Sequence, residues 1–179
     1  AFEFSENPEI TIESNPNSLS MEKAETYFYS GINRISIGAQ SFNDKILKKI
    51  GRIHKSEDIF RAVENARAAG FTNINLDLML ALPSQKISDI EKSLEEVTKL
   101  GIPHISYYSL ILEEGTRLYE NHIKSPLDFP NESLDRKMYH YVVNGLEKIG
   151  LHQYEISNFS KKEYKCRHNM TYWKLRNYI

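Results

Sequence analysis

The stretch Phe71-Thr-Asn-Ile-Asn-Leu-Asp-Leu-Met-Leu-Ala-Leu-Pro83 decides how this chain folds. Ile74, Leu76, Leu78 and Leu80 alternate with Asn73, Asn75, Asp77 and Met79, a period of two that makes a strand with one apolar and one polar face. Asp77 stands in the middle of the most apolar strand the chain can make. An unpaired carboxylate costs several kcal/mol to bury, so Asp77 is expected to meet a hydrogen-bonding partner from the protein or from a ligand.

Working outward, three further runs read as strands, about Glu9–Ser14, Asn33–Ala39 and His104–Leu110, and helical patterns alternate with all four. That order is the one expected of a parallel α/β sheet or barrel. Ser20 is placed to cap a helix ending at Gly31, residues 43–50 read as a short helix, and Ser56 is placed to cap a helix that Gly70 ends. Ser88-Asp-Ile-Glu91 matches a capping box before a helix with Ile90, Leu94 and Val97 inward. Past Leu112 the period lapses. A short helix is expected over 114–122, then a loop, then a long helix capped by Ser133 with Leu134, Met138, Tyr141, Val142 and Ile149 inward. A last strand over 153–159 and a basic, aromatic tail to Ile179 follow.

Four βα units fall short of an eight-stranded barrel, which takes about 250 residues. The expectation is therefore the latter part of a (β/α) barrel over residues 1–124, followed by the start of an α+β C-terminal region over 125–179. With 23 basic against 24 acidic residues in 179, the chain has no electrostatic footprint for a nucleic-acid backbone. It contains no apolar run of membrane-spanning length, and its opening residues lack the pattern of a signal peptide, so it reads as cytoplasmic. A single cysteine, Cys166, excludes an internal disulfide and cannot alone hold a zinc or iron–sulfur site.

The same alternation recurs on neighbouring strands. Ile10 and Ile12 oppose Thr11 and Glu13, while Ile35, Ile37 and Ala39 oppose Arg34, Ser36, Gly38 and Gln40. In a βα barrel the helix-facing side is apolar and ligands collect at the C-terminal ends of the strands. Glu13, Gln40 and Asp77 converging there suit a ligand with an ammonium group and hydroxyls. For any one strand alone, mutual satisfaction of the polar groups is the plainer reading, and the pattern names no substrate.

The strings Ile12-Glu-Ser-Asn-Pro16, Arg34-Ile-Ser-Ile-Gly-Ala-Gln-Ser-Phe42, Gly51-Arg-Ile-His54 and Asn75-Leu-Asp-Leu-Met-Leu-Ala-Leu-Pro83 together resemble a radical S-adenosylmethionine (SAM) family. That family is the oxygen-independent coproporphyrinogen III oxidases, and the resemblance is strongest to its HemW, or haem chaperone, branch. It continues through Glu113-Glu-Gly-Thr116, Tyr154-Glu-Ile-Ser-Asn-Phe159 and His168-Asn-Met-Thr-Tyr-Trp173. The resemblance implies SAM contacts at Glu13, Gln40, Arg52 and Asp77, with Arg52 suited to the methionine carboxylate. A surface salt bridge is the alternative reading of Arg52.

The resemblance also implies a haem-binding role for the segment containing His168, whose neutral imidazole is a suitable axial ligand. A locally hydrogen-bonded His168, with Tyr172 and Trp173 packed on the domain, stands beside that reading. The family's Cys-x3-Cys-x2-Cys motif is absent, so a [4Fe–4S] cluster is expected only in a longer parent protein, and this chain should be inactive alone. The implied role is haem trafficking to a respiratory haem protein. The alternatives are oxidative decarboxylation of coproporphyrinogen III and a cluster-less α/β ligand-binding domain.

Overall fold

A computed structural model describes residues 6–176; the readings made of residues 1–5 and of the last three residues of the tail lie outside the described residues. The βα period holds through β1 (Thr11–Ser14), α1 (Met21–Tyr29), β2 (Arg34–Gln40), α2 (Asp44–Lys49), α3 (Ser56–Ala69), β3 (Ile74–Leu80), α4 (Ile87–Leu100) and β4 (His104–Ser109). These strands lie side by side in chain order, all parallel. After α5 (Arg117–Lys124) and α6 (Glu132–Lys148), the expected final strand is a hairpin of two short strands, β5 (His152–Gln153) and β6 (Asn158–Ser160). Strand β6 runs antiparallel against β4, so the sheet has six strands in the order β1-β2-β3-β4-β6-β5. The tail holds a short 3-10 turn and α7 (Arg167–Trp173).

Alternation divides the sheet into two faces. Ile35, Ile37, Leu76, Leu78, Ile105 and Tyr107 are buried against Ile59 and Val63 of α3, Ile90 and Val97 of α4, and Met138, Val142 and Leu146 of α6. Each such aliphatic side chain contributes roughly 1.5–3 kcal/mol on full burial. Tyr107 and Tyr108 point to opposite faces as the alternation requires: Tyr107 is buried among the helices, and Tyr108 lines the polar side.

The helix starts differ from expectation in a consistent way. The start of α3 lies at Lys55, whose backbone N–H is taken by the Asp58 carboxylate at 2.8 Å, and that of α4 lies at Lys86, with Asp89 in the same role at 2.8 Å. Asn131, rather than Ser133, caps α6 by accepting from Leu134 N at 2.9 Å. A carboxylate three residues into a helix satisfies an orphan N–H and meets the positive end of the helix dipole, which a serine hydroxyl already inside the first turn cannot do. Tyr141 is not inward: it is half exposed, and its hydroxyl donates to Glu91 Oε1 at 2.9 Å.

Candidate ligand-binding site

The polar face of the sheet lines a cavity of about 1310 Å³. Register explains its composition: Glu13 pairs with Ser36, Ser36 with Asn75, and Asn75 with His104, so one row of interior-facing positions crosses four strands. A second row runs from Asp77 to Ser106 to Asn158.

Asp77 has the partners its burial demands. Ser36 Oγ donates to Oδ2 at 2.8 Å and Asn75 Nδ2 donates to Oδ1 at 2.8 Å. Two donors hold the carboxylate in one orientation, and each carboxylate oxygen keeps a lone pair for a ligand. Asn75 Oδ1 faces His104 Nδ1 at 2.6 Å, and His104 Nε2 lies 2.7 Å from the Tyr154 hydroxyl. Because the amide nitrogen of Asn75 is turned to Asp77, its oxygen accepts and His104 carries its proton on Nδ1; Nε2 then accepts from Tyr154. The Tyr154 hydroxyl in turn accepts the N–H of Cys166 at 3.2 Å. Burial first, and the Arg34 charge second, hold His104 down to about 3, so the ring is neutral. Burial pushes Tyr154 up to about 12.

The C-terminal ends of the strands gather the other expected residues. Strand β2 loses register between Ile37 and Gln40, and Gln40 takes a left-handed backbone at φ 63°. From this bulge Gln40 lines the cavity, and its buried Oε1 has no hydrogen-bond partner. A non-glycine residue in that conformation and an orphaned acceptor are both costly features that cluster where ligands bind. Gly38 makes room for this arrangement: a Cβ there would stand 2.9 Å from Gln40 Nε2. Arg52 is no surface ion pair. It is half-buried, lines the cavity, and donates from Nη1 to Asn15 Oδ1 at 3.0 Å. Glu13 lies on the same wall and is exposed to it.

His168 reaches the cavity from the opposite end, at the start of α7. The Glu9 carboxylate accepts from the N–H of Arg167 at 3.0 Å and of His168 at 3.4 Å, tying α7 to the segment before β1. The His168 ring is exposed and stands edge-on to Tyr172 at 4.9 Å. Glu13, Gln40, Arg52 and Asp77 therefore share the C-terminal half of the cavity, and His168 the other half.

The sequence pattern gives His104 a place at the start of a strand but no role in the site, and gives none to Asn15, Tyr154 or Asn158. His104 is fully buried at the hub of the polar network. The signal was present, since His104, Ser106 and Tyr108 alternate with apolar neighbours just as Asn75 and Asp77 do. Tyr154 and Asn158 enter through an antiparallel hairpin whose pairing no local pattern announced.

The model of the radical SAM superfamily matches residues 2–97, more than half of the sequence. The chain belongs to the radical SAM superfamily. Among curated radical SAM relatives, the haem chaperone HemW of Bacillus subtilis (strain 168) is 43% identical over 171 residues, 96% of this chain and 45% of the relative. The haem chaperone HemW of Escherichia coli (strain K12) is 36% identical over 171 residues, 96% of this chain and 44% of the relative. The chain thus spans less than half the length of these relatives. Its fold is that of the radical SAM enzyme HemN, the coproporphyrinogen III oxidase of Escherichia coli, with a TM-score of 0.81 and 24% identity over 97% of this chain and 39% of that one.

The two cofactors that radical SAM membership implies fit this chain differently. Gln40, Asp77 and Arg52 line one cavity with an amide whose oxygen has no partner, a carboxylate and a guanidinium, a donor set that fits SAM. An iron–sulfur cluster does not fit: among the described residues no group of three or more His, Cys, Asp or Glu side chains could hold a metal ion. The one cysteine is buried beside Glu9 at the far end of the cavity.

Proposed function

We propose that this chain is the SAM-binding and haem-handling portion of a HemW-like protein, one that carries haem to a recipient respiratory haem protein. The observation that carries the SAM half is Gln40: a residue lining the cavity from a strained backbone, whose buried carbonyl oxygen has no donor to accept from. The SAM ammonium or a ribose hydroxyl supplies the missing donor. Asp77, fixed by Ser36 and Asn75, offers a second acceptor, and Arg52, braced by Asn15, offers a planar fork for the methionine carboxylate. Glu13 completes the set from the neighbouring strand.

The haem half rests on the 36–43% identity to HemW chaperones across nearly the whole chain, the His168 segment included. His168 presents an exposed imidazole on a helix whose start is pinned by Glu9, which suits an axial ligand. No helix among the described residues is long and apolar enough to cross a membrane. The boundary of the SAM-binding portion is placed at residue 124, ahead of α6 and the hairpin.

The test is a pair of titrations on the full-length protein, SAM by calorimetry and haem by absorption. Stoichiometric binding of both is expected. Failure of haem to bind, with turnover of coproporphyrinogen III in the presence of SAM and a reductant, would replace the chaperone reading by the oxidase.

A further inference from the structure

Arg34 opens β2 with its side chain on the cavity wall, yet it is only 4% exposed. Its Nε has no hydrogen-bond partner, and among the described residues no carboxylate comes within ion-pair distance of its guanidinium. A guanidinium stays charged at every pH a folded protein meets, and a buried charge left unpaired costs several kcal/mol.

None of the described groups around it pairs with it directly. His104, Tyr154 and Cys166 all feel the Arg34 charge, and all three are neutral near pH 7, the imidazole held down and the phenol and thiol held up by burial. Glu9 reaches Cys166 Sγ at 3.4 Å and leaves a negative charge near this end, but its carboxylate oxygens accept from the backbone N–H groups of Arg167 and His168 and form no ion pair with Arg34. The other arginine of this end, Arg167, donates from Nη1 to Asn7 O at 2.7 Å.

Arg34 shares the His168 end of the cavity and is remote from the residues proposed to hold SAM. Six residues of strand separate it from Gln40, about 20 Å of extended chain at roughly 3.3 Å per residue. The cavity of about 1310 Å³ is larger than the roughly 300–1,000 Å³ of an ordinary small-ligand pocket, so it has room for a second group.

We infer that the N-terminal end of this cavity is a second binding subsite, in which Arg34 takes the carboxylate of an organic acid. A planar guanidinium fork with the Glu9 carboxylate on the same wall matches a singly charged, planar carboxylate better than a phosphate dianion, which that carboxylate repels more strongly. The inference rests on the cavity and on Arg34, not on the SAM assignment.

The experiment follows the Arg34 Nε–H resonance of the ¹⁵N-labelled full-length protein during titration with sodium propionate, at ionic strength held constant with sodium chloride. A parallel titration uses inorganic phosphate. A saturable shift with propionate is expected, together with a propionate-dependent rise in Tm that Arg34→Lys, which keeps the charge but loses the fork, does not show. The shift should persist with saturating SAM and in Asp77→Asn, which separates this subsite from failure of the SAM reading. Silence toward propionate would overturn the proposal, as would a stronger response to phosphate. A resonance that ignores propionate but moves in Glu9→Gln would make Arg34 an internal partner of Glu9. Should Arg34→Lys fail to fold, the wild-type titration alone decides.

Discussion

His104 Nδ1 lies 2.6 Å from Asn75 Oδ1, and this contact links the Asp77 carboxylate to the C-terminal hairpin through a neutral imidazole. The ring accepts from Tyr154 on its other nitrogen, so protonation would set two donors against each other and place a charge in a buried site beside Arg34. With its folded value near 3 against an ordinary 6.5, His104 lets the unfolded chain bind the extra proton between those limits. Stability therefore falls as pH drops from about 6.5 towards 3, by about 1.4 kcal/mol per pH unit for one such group, and is unaffected by it above that window. His54, also pulled down by burial, acts in the same direction. Urea unfolding at pH 5 and pH 7 should show a steeper loss for wild type than for His104→Gln, by close to one proton. Equal slopes would remove His104 as the cause.

Asp77→Asn keeps the size of the side chain and removes its charge. If a SAM ammonium or hydroxyl pairs with Asp77, loss of a charge-assisted hydrogen bond worth about 1.5–3 kcal/mol weakens SAM binding roughly ten- to a hundredfold. Ser36→Ala should have a smaller effect, because it removes one orienting donor and leaves the carboxylate. Calorimetric titration of both variants in the full-length protein tests the order. Unchanged affinity in Asp77→Asn would reject the contact.

Gly38→Ala probes the Gln40 bulge. The added methyl meets Gln40 Nε2 at 2.9 Å, and the amide is the end of a side chain that can swing away, so the fold should hold while the buried acceptor loses its aim. SAM affinity is expected to drop with a Tm close to wild type. A variant with unchanged affinity would show that Gln40 Oε1 is not used.

The legible part of this molecule was what period two can carry. Alternation through Ile74–Leu80 and Arg34–Gln40 placed Asp77 and Gln40 on one face, and the sheet keeps both there. The hairpin was read as one strand because Tyr154 to Ser157 look locally extended, whereas the partner that shapes β6 is β4, some fifty residues earlier. Pairing at that separation leaves no trace in a local pattern. The same distance hid the roles of His104 and Tyr154, each unremarkable alone and joined at 2.7 Å by the fold. Arg34 fell on the interior face by alternation, but that it has no counter-charge becomes visible only when every neighbour is in place.

The His168 reading turns on whether its imidazole or merely its helix matters. Glu9 holds the start of α7 through the N–H groups of Arg167 and His168, and loss of such a cap costs about 1 kcal/mol. Glu9→Ala should therefore loosen α7 while leaving the imidazole available, and haem affinity should fall modestly with the absorption spectrum of the bound form unchanged. His168→Ala leaves the cap intact, because the bonds to Glu9 come from backbone N–H groups, and removes only the ring. If the ring is the axial ligand, the bound spectrum itself should change, because the iron has lost a nitrogen donor. A spectrum identical to wild type in His168→Ala would assign the ligand to another group. A change in both variants alike would make helix position, rather than the imidazole, the property that haem senses.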